Sequence, residues 1–115
     1  NIGDNVKIGA FSEIHGDVDI KDNVLLAPFC FMSSGTHNIS LFENSIRKAD
    51  SIKPVKDKPI VIEENSWLCR GSHISPGITV GNNSVVGSYT VLKENVPPYS
   101  VAITSPKLNI ISRLI

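Results

Sequence analysis

The sequence predicts an all-β protein, a parallel β-helix built from six-residue repeats. Aliphatic side chains recur at every sixth position in two blocks, and a second small or β-branched side chain follows each of them by four residues. A period of six fits neither a helix, with about 3.6 residues per turn, nor a flat strand, with a period of two. Each hexad is therefore expected to form one short strand and one turn. The recurring residues are Ile2, Ile8, Ile14, Ile20, Leu26 and Met32, then Ile62, Leu68, Ile74, Val80, Val86 and Leu92.

The first block covers residues 1–36. Its turn positions carry Gly, Asp and Asn, as in the segments at 3–5, 16–17 and 21–23. These residues tolerate the left-handed backbone angles that tight corners require. If three hexads make one coil of a triangular prism, the block supplies two coils.

An extruded loop is predicted over residues 33–59. Continuing the six-residue phase would place Asn38, Asn44, Asp50 and Lys56 in the core, where none of them can replace an aliphatic side chain. The segment is therefore expected to leave the prism, with a helical turn within 41–50. Long loops on compact repeats usually carry function, and this one contains His37.

The second block covers residues 60–97, and a tail follows over 98–115. Pro59 favours extended structure at the entry to the block, and Gly and Asn again occupy the turns. In the tail we expect a strand and then a short helix after Pro106. The length of 115 residues is typical of a single domain, 1–115.

Composition excludes several function classes. The chain has 11 basic and 11 acidic side chains and a pI near 7.0, which argues against binding of nucleic acid or of an anionic membrane surface. No run of about 20 apolar residues is present, so no membrane span is expected. We expect a cytoplasmic protein without a disulfide, with Cys30 in the core and Cys69 on the turn side. The repeat is already in phase at Asn1, which leaves further coils upstream open.

Three segments carry a family resemblance: SSGTHNIS at 33–40, KPIVIEENSWLCRGSHISPGITVGNNSVVGSYTVLKENVPPYSV at 58–101, and the stretch from Pro106 to Arg113. They resemble the hexapeptide-repeat acyltransferases, most of all the sugar O-acetyltransferases of the galactoside, maltose and colanic-acid type. The resemblance implies a left-handed β-helix, although the usual crossover rule would give the opposite hand. It also implies a homotrimer with active sites at the subunit interfaces, acetyl-CoA as the acyl donor, no metal, and a sugar hydroxyl as the acceptor.

The resemblance assigns the role of catalytic base to His37. A neutral imidazole can take the proton of a sugar hydroxyl as the oxygen attacks a thioester, and turn N–H groups near Gly71 would hold the oxyanion. Asp50 and Glu43 are candidates to orient the ring. The ordinary alternative for His37 is a solvated loop histidine, as we expect for His15 on a turn.

The resemblance places coenzyme A in a groove between neighbouring prisms. Trp67 matches a tryptophan near the thioester. Arg70 and Gly71 lie on the next turn, near the pantetheine arm, where the family usually has small residues. Gly87 and Ser88 line the same groove one coil later. The cations that can meet the far end of coenzyme A are Lys93, Lys107 and Arg113.

Other roles remain open for some of these residues. Trp67 can equally serve interface packing, the three cations can be solvated, and His73 either lines the groove or faces solvent. Two further functions also stand beside the enzyme. The family usually has glycine and a small residue where this chain has Cys69 and Arg70, and its tail sequence differs from that of this chain. These departures suit a non-catalytic hexapeptide scaffold. The three histidines suggest a trimeric zinc carbonic anhydrase, but their spacing lacks the close pair that such a site uses.

Overall fold

The computed structural model describes residues 1–39, 45–104 and 112 of the 115. This part of the chain contains twelve short strands and one short helix. The strands are β1 (Lys7–Ile8), β2 (Glu13–His15), β3 (Val18–Ile20), β4 (Leu25–Leu26), β5 (Phe31–Ser33), β6 (Ile60–Ile62), β7 (Trp67–Leu68), β8 (His73–Ile74), β9 (Thr79–Val80), β10 (Val85–Val86), β11 (Val91–Leu92) and β12 (Val101–Ala102), and the helix is α1 (Ile46–Ile52). No helix in the described ranges is long and apolar enough to cross a membrane.

The strands form three parallel sheets, which the chain visits in cyclic order. Sheet I has the order β1-β4-β7-β10-β12, sheet II the order β2-β5-β8-β11, and sheet III the order β3-β6-β9. Because three hexads make one circuit, equivalent positions in successive coils are 18 residues apart, as Ser12 and Cys30 are. The predicted parallel strands at six-residue intervals are confirmed.

The repeating aliphatic side chains of all three sheets meet in one core. Those with no exposed surface are Leu26, Met32, Ile60, Ile62, Leu68, Ile74, Val80 and Val86. Burial differs from the prediction in part of the first coil, where Ile2 is 57% exposed, Ile8 is 41% exposed and Ile14 is only half-buried. Within the described residues this coil stacks on the second coil alone, so these side chains are covered less than those of later coils.

The second position of the hexad is also buried, and its hydroxyl groups bond to the backbone. Ser66 Oγ donates to Gly81 O at 3.0 Å, and Ser84 Oγ donates to Pro97 O at 2.8 Å. A buried hydroxyl without a partner would cost about 1–3 kcal/mol, so these bonds explain how serine shares a position with valine. Cys30 is buried, as predicted.

The corners between sheets use left-handed backbone conformations. At the corner between sheets III and I these belong mostly to asparagine, as predicted, at Asn5, Asn23, Asn65 and Asn83, and in the last coil to Tyr99. At the corner between sheets I and II they belong mostly to aromatic residues, namely Phe11, Phe29 and Tyr89, with Gly71 between them in sequence. Turn composition did not predict these aromatic corners.

The predicted loop is an excursion that leaves after β5 and returns at β6. Its base is closed by Ser34, whose Oγ donates to Asp57 Oδ2 at 2.8 Å and accepts from the Asp17 N–H at 2.7 Å. The Lys58 N–H donates to Ser34 O at 2.9 Å. The helical turn expected near 41–50 is α1, which overlaps that segment and ends two residues beyond it. It begins after Ser45, whose Oγ accepts from the Lys48 N–H.

The tail of the described chain confirms one strand, β12. The short helix expected after Pro106 lies outside the described residues, as do residues 40–44. The handedness of the β-helix remains a prediction.

Candidate functional site

His37 stands on the excursion, four residues after the end of β5. Its side chain is 72% exposed, and its Nδ1 lies 2.9 Å from Asp50 Oδ2. Asp50 belongs to α1, so the helix brings a carboxylate to a ring 13 positions earlier in the chain. Of the two carboxylates predicted to orient His37, Asp50 therefore contacts it, whereas Glu43 is outside the described residues.

The Asp50 carboxylate also anchors the backbone beside the histidine. Its Oδ1 accepts from the Asn38 N–H at 3.1 Å, and the buried Asn38 side chain donates from Nδ2 to Lys53 O at 2.8 Å. Lys53 caps the C-terminus of α1. The histidine, its neighbour and both ends of the segment 38–53 are thereby linked in one network.

Electrostatics favour an ionised Asp50. The hydrogen bond from His37, followed by the Asn38 N–H, lowers the pKa of this carboxyl below its usual value of 3.8. An ionised carboxylate can only accept hydrogen bonds. His37 Nδ1 therefore donates, and in the neutral ring Nε2 keeps its lone pair. The arrangement provides an exposed nitrogen that is able to accept a proton.

Five of the eight residues predicted to bind coenzyme A lie together along one edge. We define the aromatic edge as the stacked turns between sheets I and II, residues 9–12, 27–30, 69–72 and 87–90. Arg70, Gly71, Gly87 and Ser88 belong to these turns, and Trp67 begins the strand that leads into one of them. The structure thus places these five predicted residues in two successive coils.

Arg70 is fixed on this edge by two aromatic residues. Its guanidinium carbon lies 4.8 Å from the centroid of the Phe29 ring, and its Nε donates to Tyr89 Oη at 3.2 Å. Phe29 also stacks on Phe11, with ring centroids 5.3 Å apart. The contribution of Phe29 and Tyr89 was not predicted. The sequence feature that could have indicated it is an aromatic residue at the same turn position of different coils.

Gly71 is required by the same arrangement. The Tyr89 ring covers it so closely that an added Cβ would collide with the ring atoms, and Gly71 itself has a φ of +71°. The Gly71 N–H donates to Pro28 O at 3.2 Å. The Gly71 N–H is therefore already used between coils, and the prediction that turn N–H groups near Gly71 hold the oxyanion stays a prediction for its neighbours.

Trp67 is 46% exposed and points outward from sheet I. The strand register aligns it with outward residues of the neighbouring coils, Leu25 on one side and Val85 and then Val101 on the other. Trp67 thus belongs to an apolar column on the surface of sheet I. Both of its predicted roles, cofactor contact and interface packing, are compatible with this position.

Of the remaining predicted cofactor residues, the structure describes Lys93, which is not on the aromatic edge. Lys93 follows the C-terminal end of β11, on the border of sheet II away from the aromatic edge. It lines a cavity of about 510 Å³ formed by residues 90–97 and 100–104. Lys107 and Arg113 lie outside the described residues.

The two other histidines lie on the outer face of sheet II. His15 ends strand β2, so its predicted place on a turn is wrong, because this strand is one residue longer than most others. The Phe31 ring stands between them, 5.6 Å from His15 and 4.9 Å from His73. Across residues 1–39, 45–104 and 112, no group of three His, Cys, Asp or Glu side chains could hold a metal ion.

The cysteines are free thiols, and burial raises the pKa of both Cys30 and Cys69. A raised pKa keeps a thiol protonated at neutral pH, and the protonated form is a poor nucleophile. Neither residue is therefore suited to covalent catalysis.

His37 and the aromatic edge lie at opposite borders of sheet II. His37 follows the C-terminal end of strand β5, and the aromatic edge precedes the N-terminal ends of the strands. The excursion leaves where β5 ends, whereas the aromatic edge leads into the strands of this sheet. Within the described residues, no hydrogen bond or ion pair joins His37 to Trp67 or Arg70.

Comparisons with known proteins agree with this architecture. Galactoside O-acetyltransferase of Escherichia coli K12 is 37% identical over 91 residues, which is 77% of this chain and 41% of that protein. A probable acetyltransferase of Mycobacterium tuberculosis is 30% identical over 111 residues, 90% of this chain and 34% of that protein. The chain thus spans about a third to two fifths of the length of these curated relatives.

Solved structures show the same fold. A maltose O-acetyltransferase from Clostridium difficile has a TM-score of 0.75 at 30% identity, covering 91% of this chain and 54% of the other. A hexapeptide-repeat acetyltransferase from Vibrio cholerae has a TM-score of 0.77 at 28% identity, covering 91% and 57%. That Vibrio cholerae protein has also been solved in complex with acetyl coenzyme A.

The family described as bacterial transferase hexapeptide (six repeats) matches residues 1–34 and 59–94. The matched ranges are the two repeat blocks, and the interval between them is the excursion that carries His37. The chain belongs to this hexapeptide-repeat transferase family.

Proposed function

We propose that the protein is an acetyltransferase that moves an acetyl group from acetyl-CoA to a sugar hydroxyl, with His37 as the general base. The observation that carries this proposal is the 2.9 Å contact between His37 Nδ1 and Asp50 Oδ2. It leaves Nε2 exposed as a proton acceptor on the one segment that departs from the repeat. The acetyltransferase names of the relatives support the same reaction class.

The reaction requires one proton acceptor and no covalent enzyme intermediate. His37 Nε2 takes the proton of the acceptor hydroxyl while the oxygen attacks the thioester carbon. The C–S bond then breaks, and the proton passes from the imidazolium to the departing thiolate. Ionised Asp50 stabilises the imidazolium in between. General-base assistance of this kind typically contributes about 10²–10⁴ in rate.

A neighbouring subunit would complete the site. His37 and the aromatic edge flank opposite ends of sheet II, so a second copy of the chain can bring its own excursion to this edge. Exposed apolar side chains support such an association, since Tyr89 is 67% and Phe11 78% exposed. A homotrimer, as the resemblance implies, would bury these side chains at each of its three equivalent interfaces.

The test compares wild type with His37→Ala in acetyl transfer from acetyl-CoA to a panel of sugars. We expect kcat to fall by about 10²–10⁴ while coenzyme A binding is retained. His15→Ala is the matched control, because His15 is also exposed, contacts the carboxylate of Glu13 and lies outside the excursion. Equal activity of wild type and His37→Ala would exclude His37 as the base.

A non-catalytic scaffold is the second candidate. One observation favours it, since the Phe29–Arg70–Tyr89 stack occupies the edge where the family keeps small residues. Titration calorimetry with acetyl-CoA separates the two functions. A scaffold would neither bind the thioester nor consume it, whereas the enzyme would do both.

A further inference from the structure

We infer that Arg70 binds a carboxylate at the reacting end of the acyl-transfer site. The substrate that carries this carboxylate is either the acceptor sugar, as an acidic sugar, or the transferred acyl group, as the half-thioester of a dicarboxylic acid. The inference rests on the proposed function and adds a class of substrate to it.

Arg70 is held in place before any ligand arrives. Phe29 supports the guanidinium at 4.8 Å, and Tyr89 Oη accepts from Nε at 3.2 Å. A free arginine loses much side-chain entropy when it binds an anion. Here two aromatic residues of other coils have already restricted the side chain, so less entropy is lost on binding.

The guanidinium is also electrostatically unpaired within the described chain. The ion pairs there are His15–Glu13, Lys21–Asp19 and His37–Asp50, and none involves Arg70. The four turns of the aromatic edge contain no Asp or Glu. Of the five N–H donors of arginine, one is bonded to Tyr89, which leaves both terminal NH₂ groups for a ligand. That pair suits the two oxygens of a carboxylate.

The phosphates of coenzyme A are a poorer match for this cation. Arg70 follows Trp67 by three residues, and the resemblance implies a place near the thioester for Trp67. Lys93, the described candidate for the far end of the cofactor, lies in the next coil along. An anion that reaches Arg70 therefore belongs to the groups that react and not to the distant nucleotide.

The experiment measures kinetics with matched pairs of substrates. In the first arm, acetyl-CoA is used with a neutral hexose glycoside and with the corresponding uronic acid glycoside. In the second arm, the neutral glycoside is used with acetyl-CoA and with succinyl-CoA. Preference for the acid in the first arm assigns the carboxylate to the acceptor, and preference in the second arm assigns it to the acyl group.

The variant is Arg70→Met, which keeps an apolar stem on Phe29 and removes the charge. We expect KM for the carboxylate substrate to rise about 10- to 100-fold more than KM for the neutral substrate. Arg70→Lys should recover part of the loss, because it restores the charge without the planar pair of donors. The control is Lys7→Met, which removes an exposed cation from another coil of sheet I.

The other possible outcomes would contradict either the inference about Arg70 or the proposed function. If Arg70→Met impairs acidic and neutral substrates equally, Arg70 only braces the corner and the inference fails. The inference also fails alone if wild type transfers acyl groups but shows no preference for acids in either arm. If wild type transfers no acyl group to any acceptor, the proposed function fails together with it.

Discussion

At the scale of single residues, the pair formed by His37 and Asp50 is the feature most open to test. Asp50→Asn keeps the size of the side chain but allows an amide N–H to face Nδ1. The ring can then present a protonated Nε2, the wrong tautomer for a base. We expect kcat to fall about 10- to 100-fold with little change in KM. Asp19→Asn is the control, since it removes a surface carboxylate paired with Lys21.

The titration of Asp50 gives a second prediction. Its pKa is lowered by hydrogen bonds that exist only in the folded excursion. The stabilisation is therefore fully present above the ordinary value of 3.8 and is lost as the pH falls through the lowered pKa. An NMR titration of the carboxyl carbon should show a midpoint below 3.8. In the His37→Ala variant the midpoint should move up, and an unmoved midpoint would contradict the assigned cause.

The corner residues show why part of the site escaped prediction. The core positions could be predicted from the aliphatic residues at every sixth position, because each hexad occupies the same environment in its coil. Arg70 is held instead by Phe29 and Tyr89, which come from two other coils. A left-handed corner normally favours Gly or Asn, so no local rule assigns it to an aromatic residue. Only stacking between coils explains the choice.

At the scale of elements, the excursion depends on the hydrogen bonds at its base. Ser34→Ala would leave the Asp17 N–H and the Asp57 carboxylate without their partner. Because Ser34 is 1% exposed, we expect a loss of about 1–3 kcal/mol in the free energy of unfolding. Urea denaturation measures it. Ser33→Ala is the control, because Ser33 makes only weak bonds to Gly35.

The excursion also marks the limit of the periodic argument. Its departure from the core follows from the polar residues that would have entered it. Asp50 is one of two candidates to orient His37, but its pairing with the ring depends on where α1 begins. The observed helix, Ile46–Ile52, overlaps the expected segment 41–50 and ends two residues beyond it. The six-residue repeat carries no information about the internal structure of the excursion, because the excursion does not follow the repeat.

At the scale of the whole molecule, the outward column of sheet I predicts association. Leu25 is 39% and Val101 68% exposed, with Trp67 between them. If the proposed trimer of 12.5 kDa chains forms through this column, Leu25→Glu should convert it into monomers and abolish the proposed acetyl transfer. Sedimentation velocity reads the mass. Thr79→Glu places the same charge on the outer face of sheet III and should leave the trimer intact, and loss of the trimer in both variants would count against this surface.

The closure at Ser34 and Lys58 has a wider consequence. The two ends of the excursion are joined by a backbone hydrogen bond of 2.9 Å, so the coils stack continuously across its base. The entropy cost of closing a loop grows only slowly with its length. Insertions or deletions in the excursion should therefore change the stability of the stacked coils only a little. The excursion can therefore change in length and sequence during evolution while the stacked coils that support it keep their structure.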